Sequence, residues 1–211
     1  VGAAVVACVG WVMATPASAS LVLWSAGSGG NGHWYELVLD DAVGWTAAKN
    51  AAIAKGGYLA TITSANEQDF IKNAFFAVGS GYGSYWIGAS DAATEGSFQW
   101  VTGEAFSYAN WGGGQPDNNT GFGGPDGEDY VQFVWRADGT TPHGGRWNDA
   151  SEQGYFGYTD GSGLVHLNRK GYIVEYNVHP VPVPAALPIL AAALAGFGFA
   201  GYRHRRAQRR A

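Results

Sequence analysis

The sequence predicts an α+β domain, on three observations. Two helical segments come early, short strands separated by Gly, Asn and Asp follow, and long polar loops lie among those strands. With 211 residues, 46% of them apolar and 14% aromatic, the chain is long enough to bury one sizeable core. Its 33 Gly, against an average of about 7%, show no three-residue period, which excludes collagen. Together with 9 Trp and 11 Tyr they point to irregular backbone anchored by aromatic side chains.

Residues 33–39 (HWYELVL) read as a strand in which apolar and polar residues partly alternate. Trp45, Ala48 and Ala52 recur at helical spacing over residues 45–55, and Gly56-Gly57 stops that helix. Residues 58–63 (YLATIT) read as a short strand. Ser64-x-x-Glu67 has the form of a capping box, and Phe70, Ile71, Ala74 and Phe75 give the helix after it one apolar face. Beyond Val78 the predicted strands are 85–88, 98–101, 130–135 and 171–176. The stretch 110–127 has few large apolar residues, and a loop of that length in a compact domain is usually functional.

The two ends read differently. Residues 1–13 are apolar and lead to Ala17-Ser18-Ala19, the small-x-small form of a signal-peptidase site, so residues 1–19 are expected to be a signal peptide cleaved after Ala19. No basic segment precedes them, so the chain is expected to start inside that peptide. The alternative is a buried core helix, since thirteen residues are too few to span a bilayer. Cys8, the single Cys, would leave with this segment, and no intramolecular disulfide can form. At the other end, residues 180–211 comprise a Pro-punctuated start, an apolar run over 185–202 and a basic tail with Arg203, Arg205, Arg206, Arg209 and Arg210. The run is about 27 Å long as a helix, just enough for a hydrocarbon core, and the Arg cluster should stay cytoplasmic. This arrangement resembles the PEP-CTERM sorting signal of Gram-negative bacteria, with Val181-Pro182-Val183-Pro184 in place of the namesake tetrapeptide and Val183 where that has Glu. The resemblance implies an exosortase-type membrane protease as processing partner, transient anchoring in the inner membrane and an exported or surface-attached product. A permanent tail anchor is the alternative.

Between the ends, residues 20–32 form a Gly-rich lead and 33–177 a single domain. Residues 20–180 hold seven of the twelve Lys and Arg and all 17 Asp and Glu, a net −10. So acidic a body should repel nucleic acid and attract cations. Hard cations such as Ca²⁺ need six to eight oxygen ligands from convergent loops, and four clusters offer them: Asp91 with Glu95, Gln115-Pro116-Asp117-Asn118, Glu128-Asp129 and Trp147-Asn148-Asp149.

Over residues 33–177 the order of motifs resembles that of a C-type lectin-like domain. Trp45-x-x-Ala48, Gly56-x-x-Leu59-Ala60-x-Ile62, Trp86-Ile87-Gly88, Thr94-Glu95-Gly96-x-Phe98-x-Trp100 and Asn110-Trp111 precede the QPD, GED and WND motifs. The resemblance implies two helices, small antiparallel sheets and long calcium-binding loops. It implies a principal Ca²⁺ site of Gln115, Asp117, Glu128, Asn148 and Asp149, with a cis peptide before Pro116. An auxiliary Ca²⁺ site would use Asp91, Glu95, Asn118, Glu128 and Asp129. Calcium would take two adjacent sugar hydroxyls as its last ligands. The Gln-Pro-Asp triplet and the spacing from Gln115 to Glu128 are similar to galactose-selective members. Where that loop type carries a Trp two residues after the motif, this chain has Asn119, and Phe122 offers a stacking surface instead. The family's disulfide positions are occupied by Ala52 with Val174 and Tyr130 with Glu152. The extra length over 136–146 is an insertion of unassigned use.

An enzyme is the competing class, with Asp117 and Glu128 as a glycosidase pair. The resemblance assigns both to metal, the five His show no zinc spacing, and no nucleophile elbow, P-loop or dinucleotide fingerprint occurs, so no catalytic residue is assigned. The closer rival is a C-type lectin-like domain that binds no sugar and serves as a matrix or protein-interaction module.

Overall fold

The computed structural model describes residues 21–41, 43–76, 82–120, 127–136, 145–154, 157–159, 165–167 and 169–180. The expected signal peptide, the apolar run over 185–202, the Val181-to-Pro184 motif, Phe122 and most of the 136–146 insertion lie outside those residues. Among the described residues no helix is long and apolar enough to cross a membrane.

In chain order the elements are β1 (Val22–Leu23), β2 (Trp34–Leu39), α1 (Trp45–Ala54), β3 (Tyr58–Leu59), α2 (Ala65–Phe75), β4 (Tyr82–Ser90), β5 (Gln99–Trp100), β6 (Tyr130–Arg136), β7 (Arg146–Ala150), β8 (Gly157–Thr159), β9 (Val165–Leu167) and β10 (Arg169–Tyr176). One eight-stranded sheet runs β1-β2-β10-β4-β6-β7, with β3 on β10 and β5 on β4, and β8 pairs β9 separately. The β10–β4 pairing is parallel, so the main sheet is mixed where small antiparallel sheets were expected. Both helices and every strand predicted within the described residues are present, with shifted ends. Only Tyr58–Leu59 of the 58–63 segment pairs as a strand.

Alternation along the central strands builds two cores. On β4, Tyr85 and Ile87 join the cluster around Phe133 and Trp147, while Trp86 between them joins Trp45, Ala52 and Leu59. On β10, Ile173 belongs to the first cluster and its neighbours Tyr172 and Val174 to the second. Residues 20–32, read from sequence as a lead, contribute β1 and the buried Trp24, whose ring stacks on Phe70 with centroids 5.5 Å apart.

α1 starts after Gly44, which has no side chain to cap it. The cap comes from across the fold. The Glu152 carboxylate accepts from Thr46 N and Thr46 Oγ1, both at 2.9 Å, and its carbonyl accepts from Trp45 N at 3.0 Å. A negative charge there also favours the helix dipole. Beside it Tyr130 packs on Trp45 with ring centroids 4.8 Å apart, so Tyr130 and Glu152, the pair at one of the expected disulfide positions, supply a ring contact and a cap. The other, Ala52 with Val174, lies fully buried in the second core. Glu152→Ala is expected to cost about 1–2 kcal/mol, the range for a lost cap, read from urea unfolding.

α2 begins as the capping box predicts, with Ser64 Oγ accepting from Glu67 N at 3.2 Å. Its buried face is different. Glu67, Gln68 and Ile71 are buried, Phe70 and Phe75 are half-buried, and Ala74 is exposed. Polar groups dock this helix, which an apolar count over its sequence misses. Glu67 reaches back to Thr63 N at 2.8 Å and receives the Tyr35 hydroxyl at 2.6 Å. Burial raises the Glu67 carboxyl above its ordinary range, against the hydrogen bonds from Tyr35 and Thr63.

Candidate functional site

The site is built on β7, a strand where the sequence predicts an acidic loop. Trp147 anchors the strand. Its ring is fully buried, meeting Trp100, Tyr108 and Trp111 edge-on at 5.6–5.8 Å, and its Nε1 donates to Gln68 Oε1 at 2.8 Å. Pairing with β6 sets Asn148 opposite Gln132 and Asp149 opposite Val131. The chain at 110–112 runs beside this strand, with Trp147 N donating to Asn110 O and Gly112 N to Trp147 O, both at 2.8 Å. It leads directly to Gln115, whose peptide bond to Pro116 is cis, as expected.

Backbone N–H groups then fold the QPD loop over the acidic side chains. Asp117 N donates to Asp149 Oδ1 at 3.2 Å, Asn118 N to Asp149 Oδ2 at 2.8 Å and Asn119 N to Glu128 Oε2 at 3.1 Å. Asn118, at a φ of 43°, accepts Glu128 N on its own Oδ1 at 2.8 Å. Gly127 makes this possible: its φ is 81°, and a Cβ there would run into the Asn118 carboxamide. Gly127→Ala is therefore expected to displace Asn118 and to cost about 1–3 kcal/mol of stability, the range for a side chain forced to a positive φ, read from urea unfolding.

The result is a convergence of oxygens. Asp117, Glu128 and Asp149 each place a carboxylate oxygen within 4.8 Å of the others. Glu128 and Asp149 are buried and Asp117 is exposed. Burial first, and then the charges of Asp149 and Asp117, push the Glu128 carboxyl up to about 8 against the Asn119 N–H bond. Asp149 is also raised by burial, against the N–H bonds of Asn118 and Asp117. Gln115 closes the ring in one of two amide orientations. With its oxygen inward it faces Asp117 Oδ1 and Asp149 Oδ1, and with its NH₂ inward it donates to them at 3.1 and 2.5 Å. The first orientation suits a cation among the oxygens, the second their charges alone. Asn148 Nδ2 donates to Asp149 O, and Asn148 Oδ1 lies 3.1 Å from the Gln115 amide. Carboxylate and amide oxygens with mutual repulsion and no sulfur or imidazole are the donor set of a hard cation such as Ca²⁺.

The second predicted set is less gathered. Asp91 is buried at 2% exposure, with Oδ2 accepting Gly96 N at 2.8 Å and Oδ1 buried without a hydrogen-bond partner. Its N donates to Asp129 O at 3.0 Å, which makes the two neighbours where β4 meets β6. Burial pushes Asp91 up to about 6, against the Gly96 N–H and reinforced by Glu95. Glu95 is exposed, and Asp91, Glu95 and Asp129 form no grouping comparable to the first among the described residues. Asn118 and Glu128 sit with the principal set. Gln68 has no place among the sequence motifs, and Gly127 enters them only as the first residue of GED, with no role of its own. A polar residue one step after the capping Glu67, and a Gly directly before an acidic pair, are the signals that mark them.

A two-core α+β frame that carries convergent acidic oxygens on one strand and its loops defines a binding module. The profile of the lectin C-type domain matches residues 41–158, more than half of the chain, and the chain belongs to that family. It is 40% identical over 75 residues to galactose-specific lectin nattectin of Thalassophryne nattereri, covering 36% of this chain and 47% of nattectin. It is 32% identical over 151 residues to halomucin of Haloquadratum walsbyi, covering 69% of this chain and 1% of halomucin. The chain thus spans less than half the length of either relative. Among solved structures, the mouse scavenger receptor C-type lectin carbohydrate-recognition domain superposes with a TM-score of 0.50 at 27% identity, over 71% of this chain and 92% of that one. The fold is the C-type lectin fold. Its relatives and structural neighbours are lectins and lectin-like domains, which are not enzymes.

Proposed function

We propose that this domain binds carbohydrate through calcium, with the galactose-type preference of its QPD motif, at the surface or in the extracellular matrix of a Gram-negative bacterium. The observation that carries the reading is the meeting of Asp117, Glu128 and Asp149 within 4.8 Å. Gln115 and Asn148 at its rim bring amide groups of both polarities. Asp117, Glu128 and Asp149, with the amide oxygens of Gln115 and Asn148, would hold the calcium, which would supply positive charge to attract two adjacent sugar hydroxyls. Gln115 and Asn148 donate their NH₂ groups to those hydroxyls, and Asp117, Glu128 and Asp149 accept from them. The order of donor and acceptor along the rim selects the hydroxyl pair. The orphaned Asp91 Oδ1 supports a second, bracing calcium at Asp91, Glu95, Asn118, Glu128 and Asp129. Phe122 would stack on the apolar face of the sugar. Nattectin's description as galactose-specific supports the sugar class.

Export rests on the end segments. Residues 1–19 would direct secretion, and the PEP-CTERM-like segment would hold the protein in the inner membrane through its helix until an exosortase-type protease releases it.

A glycan array probed with the full chain in calcium and in EDTA tests the reading. Calcium-dependent binding to galactose-terminated glycans is expected, and its absence would favour a lectin-like module that binds protein or matrix instead. Exchanging donor and acceptor with Gln115→Glu and Asp117→Asn together should move preference toward mannose, and unchanged selectivity would refute the rim account.

A further inference from the structure

A cleft apart from the acidic ring opens between α2 and the start of β7. Its volume is about 290 Å³, close to the lower end of roughly 300–1,000 Å³ for ligand clefts. Lys72, Tyr108, Asn110 and Arg146 line it, with the buried Gln68 and Gly145 beneath. The base is fixed. Gly145 O accepts from Gln68 Nε2 at 2.5 Å and from Asn110 Nδ2 at 2.8 Å, and Gln68 Oε1 is held by Trp147 Nε1.

The charged groups around it are Lys72, Arg146 and one carboxylate, Asp69, beside the Tyr108 ring, so the cleft carries a net positive charge in a body with a net charge of −10. Lys72 pairs with Asp69 at 2.7 Å, so the charge of Arg146 is the balance of the three charged lining residues. Arg146 donates Nη1 to Trp111 O at 3.2 Å, a bond that engages one of the five N–H donors of a guanidinium and sets the fork beside the cleft. Tyr108 is held edge-on to Trp147 at 5.7 Å. Its hydroxyl stays protonated, raised by burial first and then by Asp69, against Arg146. A guanidinium fork, an ammonium, a phenol donor and an aromatic ring around a space of monosaccharide size match a sugar carrying an anionic group. Arg146 also opens the strand that holds Asn148, two residues or about 7 Å further along.

We propose that this cleft is a second, calcium-independent subsite for a sugar unit carrying a carboxylate, as in a uronic acid, with Arg146 receiving the charge, an N–H of Lys72 not used by Asp69 adding a hydrogen bond to it, and Tyr108 and Asn110 receiving the hydroxyls. That the anion is carried by a saccharide rests on the carbohydrate reading above, and the subsite makes the ligand of this protein an acidic glycan.

The test is an NMR titration of the full chain in EDTA with galacturonate, with galactose and inorganic sulfate as parallel arms. Galacturonate is expected to shift the resonances of Tyr108, Asn110 and the Arg146 side chain. Galactose should leave them in place, and sulfate should bind more weakly than galacturonate. Arg146→Gln and Lys72→Gln should each weaken galacturonate about tenfold, the size of one lost charge-assisted hydrogen bond. Unaltered thermal unfolding controls for folding, and the Lys72 variant carries the test if Arg146→Gln unfolds. Galacturonate leaving these resonances unmoved, or binding both variants as it binds the parent, overturns the subsite. Sulfate binding as tightly as galacturonate overturns its assignment to a sugar. Galactose binding in calcium is measured separately, so failure of the principal site is told apart from failure of this one.

Discussion

In EDTA the full chain is expected to melt about 5–10 °C lower than in calcium at a hundred times its dissociation constant. A ligand that binds the folded state alone stabilises it by about 2.7 kcal/mol at that excess, and about 1 kcal/mol moves the midpoint of a domain this size by 2–4 °C. Two features of this chain make the dependence strong. First, the chain has a single Cys and can form no intramolecular disulfide, so no covalent bond ties the loops to the frame, where one bridge would contribute about 2–4 kcal/mol. Second, the acidic oxygens of Asp117, Glu128 and Asp149 lie within 4.8 Å of one another, a repulsion that a cation converts into attraction. Calorimetric scans in calcium, in EDTA and in EDTA followed by excess calcium measure the shift and its reversal. Coincident scans would mean that the QPD loop is held by its hydrogen bonds to Asp149 and Glu128 alone.

What the sequence disclosed divides along the range of the interactions involved. α1 and the start of α2 are legible because their signals are local: Gly56 takes a φ of 84° just past α1, and Ser64 caps Glu67 three residues on. The strands 85–88 and 171–176 are legible because they are short, mostly apolar runs, buried at every position. β1 is two residues long and exists only by pairing Val22 with Tyr35 and Leu23 with Trp34, a partnership no local pattern announces. β7 reads as a polar loop because Asn148 and Asp149 occupy buried positions that strands usually give to apolar residues. The convergence of polar groups overrides the pattern at that point. The mistaken face of α2 has the same origin, since Glu67 and Gln68 are buried through hydrogen bonds to Tyr35, Thr63, Trp147 and Gly145. For the site, Gln115, Asp117, Glu128, Asn148 and Asp149 were legible only as an ordered set of motifs. Their convergence depends on backbone bonds such as Asn118 N to Asp149 Oδ2, which join positions 31 apart.

Replacing Glu128 with Gln is expected to separate the two faces of that convergence. Glu128 Oε2 accepts from Asn119 N at 3.1 Å, and a Gln carbonyl can keep that bond while its NH₂ turns toward Asp117 and Asp149. Glu128→Gln thus exchanges a carboxylate that repels its neighbours for a donor that satisfies them. In EDTA the variant should melt at or above the parent, because folding no longer has to protonate Glu128 or bury its charge beside Asp117 and Asp149. In calcium the order should reverse: with one charged ligand lost, affinity should fall about a hundredfold or more, since even supporting contacts around metal ligands contribute about 10–100-fold. Alanine makes the control. Glu128→Ala also loses the Asn119 bond and should melt below the parent in both media. Isothermal titration of calcium and paired scans in calcium and EDTA read all three chains. If Glu128→Gln melts below the parent in EDTA as well, Glu128 is held by its surroundings as a structural carboxylate, and the cation reading of the cluster loses its main support.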